Sequence, residues 1–80
     1  MPVDHDSPVP LYRQVARLLR EGIASGEYGR RLPSLRTIEQ TYEVSRPVAE
    51  KAVGLLREAG EVYVVPGKGT FIGQPPPDDV

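Results

Sequence analysis

Residues 34 to 60 hold two helical patterns with almost no chain between them. Ser34 stands before Leu35, Ile38 and Tyr42, which recur at helical spacing. A serine there suits a helix start, because its hydroxyl can accept a first-turn backbone N–H. Ser45 opens a second pattern in the same way. Pro47 falls in the first turn of that pattern, the one stretch of a helix where a missing N–H costs nothing. Val48, Ala52, Leu55, Leu56 and Ala59 line one face, and Gly60 follows where a helix commonly closes on a glycine. The pattern predicts helices over 35–42 and 46–59, with Glu43 and Val44 as the turn.

The flanking sequence completes one small domain. Pro10 suits a helix start, and Leu11, Val15, Leu18, Leu19 and Ile23 follow at helical spacing, predicting a helix over about 10–24 that stops at Gly26. Glu27 to Pro33 is a connector with a short extended stretch at Leu32. Val62–Val65 and Thr70–Ile72 are β-rich, and Pro66-Gly67-Lys68-Gly69 between them is a turn, so the three predict a hairpin. Residues 1–9 are expected to be a flexible lead-in, 10–73 the domain, and 74–80 a Pro-rich acidic tail or linker. The expected fold is mostly α with a small antiparallel β-hairpin.

Composition narrows the function. The 80 residues suffice for one modest core, and without cysteine packing alone must hold it, as in a reducing cytoplasmic setting. No apolar run is long enough to span a membrane, and the first residues lack the apolar stretch of a signal peptide. An enzyme is disfavoured. The single histidine, His5, lies in the lead-in, and no Cys, His, Asp or Glu spacing suits a metal. No cofactor is expected, and Gly67-Lys68-Gly69 is too short to cradle a nucleotide. The net charge of −1 conceals a division: all four aspartates lie near the two ends, whereas Pro10 to Pro77 carries ten Lys/Arg against seven Glu. A mildly basic domain permits nucleic-acid binding without requiring it.

Two helices joined by a turn of about three or four residues form a helix-turn-helix unit, whose second helix enters the DNA major groove N-terminus first. Here that terminus is Ser45-Arg46-Pro47. The hairpin then acts as a wing, with Lys68 between two glycines that let the backbone approach phosphate closely. Glu50 stands four residues after Arg46 and shares its face. Three roles are open to it: accepting from cytosine N4, pairing with Arg46 to orient it, or repelling phosphate.

The sequence also resembles the N-terminal domain of GntR-type bacterial transcription regulators. The likeness is carried by Pro10-Leu11-Tyr12-Arg13-Gln14-Val15-Ala16, Ser25-Gly26-Glu27-Tyr28, Leu32-Pro33-Ser34, Val44-Ser45-Arg46 and Pro66-Gly67-Lys68-Gly69-Thr70-Phe71-Ile72. It implies a winged helix-turn-helix fold and sequence-specific binding of double-stranded DNA, most often by a repressor. By resemblance Arg36 is a helix-two DNA contact, Ser45 and Arg46 open the recognition helix, and Gly67, Lys68, Gly69 and Thr70 form the wing tip. Pro47, Glu50 and Lys51 complete the expected interface. The resemblance further implies a palindromic operator bound by two copies, with a larger effector-sensing and dimerising domain that this chain does not contain. The isolated chain is expected to be a monomer or a weak dimer.

The sequence departs from the family pattern in four ways. Glu50 stands where an arginine is common, Val64-Val65 replaces a frequent basic pair, Glu61 replaces an apolar residue, and the connector is about two residues short. Glu50, Val64, Val65 and the low charge motivate an alternative, a protein-interaction winged helix with weakened or lost DNA binding. Arg13, Arg17 and Arg20 are expected to be a solvated face, Arg36 could instead pair with Glu39 or Glu43, and Tyr12, Tyr28 and Tyr42 are expected at half-buried core edges.

Overall fold

The computed structural model describes residues 3–7 and 9–74. Its elements are α1 (Leu11–Ser25), α2 (Leu35–Tyr42), α3 (Arg46–Glu58), β1 (Val62–Val65) and β2 (Gly69–Ile72). Pro10 is the N-cap of α1 rather than its first residue, and Gly26 ends that helix at φ 80° with its N–H returned to the Gly22 and Ile23 carbonyls. The Ser34 hydroxyl accepts from the Thr37 N–H at 3.2 Å, as a helix-starting serine should. Glu43 closes α2 in the left-handed region at φ 56°, and the Val44 N–H returns to the Glu39 carbonyl. That residue is what lets α3 follow so soon.

The core is a single cluster. Val15, Ala16 and Leu19 come from α1, Ile38 and Tyr42 from α2, Ala49, Ala52 and Leu56 from α3, with Leu32 and Val62 closing the end nearest the hairpin. The expected inner face of α3 is rotated slightly. Ala49 is fully buried, Val48 and Leu55 are half-buried, and Ala59 is exposed. Burial follows from packing against both α1 and α2 together, and alanines at 49 and 52 let α3 come close to its neighbours. Tyr42 belongs to the core at 8% exposure, Tyr28 packs at its edge as expected, and Tyr12 is half-buried.

β1 and β2 pair antiparallel, with Val62 opposite Ile72 and Val65 opposite Gly69, so β2 begins one residue earlier than the sequence suggests. The connector adds a third short edge. The Leu32 N–H donates to the Thr70 carbonyl at 3.0 Å and the Ile72 N–H to the Arg30 carbonyl at 2.8 Å. These bonds fasten the wing to the segment that leads into α2.

The lead-in is tied to the domain at two points. Gln14 accepts from the Asp4 N–H at 2.7 Å and donates to the Asp4 and Val9 carbonyls, while Val3 packs on the core. The expected tail over 74–80 lies, apart from Gln74, outside the described residues. No helix among the described residues is long and apolar enough to cross a membrane.

Candidate nucleic-acid interface

The bonds between connector and hairpin bring the wing beside the N-terminal ends of α2 and α3. Arg31, Leu32, Pro33, Ser34, Leu35 and Arg36 line one side of an open cleft; Arg46 and Val53 of α3 and Lys68, Gly69 and Thr70 of the wing line the rest. Four cationic side chains from three separate stretches of chain thus share one concavity. Arg36, Arg46, Lys68, Gly69 and Thr70, all anticipated from sequence, meet here. Among the described residues, Arg36 forms no ion pair, because Glu39 points to Arg46 instead.

The α3 terminus is arranged around Arg46. Its Nη1 lies 3.7 Å from Glu39 Oε2 on α2, and its Nε lies 3.6 Å from Glu50 Oε2 one turn along α3. The pairing of Glu50 with Arg46 is one of the three roles the sequence leaves open. Ser45 occupies the N-cap position, but its hydroxyl makes no capping bond, so the first-turn N–H groups keep no side-chain partner. Ser45 and Pro47 are exposed at this end of the helix.

Lys51 is turned away from this group. Helical rotation carries position 51 off the Arg46–Glu50 face and toward α1, where its Nζ lies 4.4 Å from the centroid of the Tyr12 ring. There it makes a cation–π contact rather than joining the cleft.

Two participants escaped sequence reasoning. Arg31 lies over Phe71 at 5.1 Å from the ring centroid, and Phe71 stacks on Tyr63 at 5.8 Å, so a cation from the connector is held on the wing. The basic pair Arg30-Arg31 before Leu32-Pro33-Ser34 was the available signal. Glu39 reaches Arg46 across the helix-turn-helix, and nothing in its local sequence announces that. Glu61, a departure from the family pattern, has a partner: the Arg20 Nε donates to both of its carboxylate oxygens, at 2.9 and 3.1 Å.

Val64 is 46% exposed on the wing, and with Leu35, Val53 and Thr70 it forms an apolar shelf beside Glu50 and Arg57. The cleft therefore offers separated cations able to meet an extended anion, next to a helix terminus with polar and apolar groups able to meet base edges.

Three helices, a tight turn between the second and third, and a hairpin pinned beside them define the winged helix-turn-helix class. Residues 11–72 match the family of bacterial regulatory proteins named gntR, and the chain belongs to that family. It is 32% identical over 77 residues to the HTH-type transcriptional repressor NagR of Bacillus subtilis, covering 94% of this chain and 32% of NagR. It is 28% identical over 76 residues to the arabinose metabolism transcriptional repressor of Geobacillus stearothermophilus, covering 92% of this chain and 21% of that protein. The chain thus spans a third or less of these relatives. Among solved structures, AraR(DBD) in complex with operator ORX1 superimposes with a TM-score of 0.80 at 29% identity, covering 91% of this chain and 95% of that one.

Proposed function

We propose that this chain is the DNA-reading unit of a GntR-type transcription regulator, acting in the cytoplasm as a repressor by sequence-specific binding to double-stranded DNA. The observation that carries this is the shared cleft of Arg31, Arg36, Arg46 and Lys68, which joins the starts of both helix-turn-helix helices to the wing. In this reading α3 enters the major groove. Arg36 and Lys68 hold phosphates, Ser45, Arg46 and Pro47 meet the base edges, and Glu50 stays paired with Arg46. The wing glycines Gly67 and Gly69 have φ of 80° and 116°, a backbone that keeps Lys68 at the hairpin tip without side chains crowding it. Two copies occupy a palindromic operator with half-sites set by the helical repeat. The domain is a binder, and its role requires no catalysis.

The relatives support this reading: NagR is a transcriptional repressor, and the superimposable AraR(DBD) is bound to an operator. One observation favours a second reading, a protein-interaction module: the recognition-helix arginine is already flanked by two carboxylates, and Val64 is exposed on the wing beside Glu50. Titration of the chain against random-sequence duplex at low salt separates the two. A DNA reader binds with a dissociation constant of about 10⁻⁴–10⁻⁶ M near physiological salt and more tightly below it, with log–log dependence on salt. Absence of binding at low salt would overturn the DNA reading in favour of the protein-interaction module.

A further inference from the structure

We propose that Glu39 is a specificity-determining positioning residue, which together with Glu50 converts Arg46 from a phosphate anchor into a guanine reader; this rests on the DNA-binding reading above. The geometry has three parts. Glu39 approaches Arg46 from α2 and Glu50 approaches it from α3, at 3.7 and 3.6 Å. The guanidinium is held from two elements, so its direction is fixed relative to the helix-turn-helix rather than to one flexible stem. Both contacts are ionic and longer than a hydrogen bond, and the Arg46 side chain remains 60% exposed, so its N–H donors stay available to a ligand.

Charge then selects the ligand. One cation between two carboxylates is net negative, and a phosphate approaching that group is repelled. A base edge carries no net charge, and guanine O6 and N7 present two acceptors that suit the arginine fork. The same arrangement that weakens a phosphate contact leaves a guanine contact intact.

Burial makes Glu39 the stricter of the two partners. Its Oε2 is shielded from solvent and has no hydrogen-bond partner, so Arg46 is its nearest compensation. Drawing Arg46 away to a phosphate would strand a buried carboxylate oxygen, which is costly. Glu50, 57% exposed, is under no such constraint. Glu39 therefore tethers the arginine, and Glu50 supplies the second charge.

The test is in vitro selection from a randomised duplex pool, run in parallel on the wild-type chain, Glu39→Gln, Arg46→Ala and the double variant, with affinity for random duplex measured against salt. The wild type should enrich a guanine at a fixed half-site position, with a preference of roughly five- to a hundredfold, the range of one bidentate arginine–guanine contact. Glu39→Gln should cut that preference by roughly tenfold while binding random duplex more tightly, with a salt slope steeper by about 0.9, the signature of one added phosphate contact. In the Arg46→Ala background, Glu39→Gln should change neither quantity, because Glu39 acts through Arg46. Glu39→Ala carries the same expectation and leaves no buried polar atom behind, should the amide fail to fold. Enrichment of the same motif with the same weights by the wild type and the Glu39 variants overturns the inference and leaves the DNA reading standing. An effect that persists without Arg46 also overturns it. Enrichment of no motif by the wild type removes the DNA reading and the inference together.

Discussion

Replacing Glu50 with arginine changes the charge of the recognition helix by two and leaves the fold intact. Glu50 and Arg46 are 57% and 60% exposed, so their ion pair stabilises the domain by about 0–1 kcal/mol. The like-charge pair created one turn apart costs about 0.2–0.5 kcal/mol more. Set against the roughly 5–15 kcal/mol by which native domains exceed their unfolded chains, that loss is small, and thermal melting should show a modest decrease. The effect on DNA should be larger. The new guanidinium can meet a phosphate, and Arg46, held then by Glu39 alone, is freer to meet another. Each contact steepens the slope of log affinity against log salt by about 0.9, so Glu50→Arg should steepen it by roughly 0.9–1.8. Affinity for random duplex should rise, and the ratio of specific to random binding should fall. Fluorescence anisotropy across a series of salt concentrations reads both quantities. Abolished specific binding, with loss of preference at a single C·G pair and an unchanged slope, would refute this reasoning. Glu50 would then be accepting from cytosine N4, and pairing with Arg46 would be incidental.

Lys68→Ala should weaken binding about equally on all sequences and flatten the salt slope by roughly one; a loss confined to one base position would instead make the wing a base reader. Leu56, fully buried among all three helices, should cost about 2–5 kcal/mol on truncation to alanine, measured by urea unfolding, and a loss under about 1 kcal/mol would show that the core collapses around the gap. Burial, reinforced by Tyr42 and Glu27, holds the Tyr28 phenol well above the ordinary tyrosine range. The folded chain thus releases that proton later than the unfolded chain, so the stabilisation is complete below about pH 10 and declines above it. Tyr28→Phe should remove that part of the alkaline decline in unfolding free energy, and an unchanged decline would place its cause elsewhere.

What the sequence determined by itself is everything written in short-range pattern. Apolar spacing, the serines at 34 and 45, Pro47 and the glycines at 26 and 60 placed three helices to within a residue or so, and the Pro-Gly-Lys-Gly run placed the hairpin. Arg46 and Lys68 were legible as interface candidates because their positions relative to those elements are local facts, and Arg36 only through the family likeness. The tertiary structure decided which long-separated groups meet. The Leu32–Thr70 bond carries the wing to the connector and brings Arg31 into the cleft. Packing of α2 on α3 aims Glu39 at Arg46, while packing of α1 on α3 draws Lys51 onto Tyr12 and away from the interface. Arg20 and Glu61 likewise meet across 41 positions. Helical periodicity fixes the face on which a side chain stands; it carries no information about which element will cover that face. That assignment comes from burying one shared core, and with it come the charges that set what the recognition helix can read.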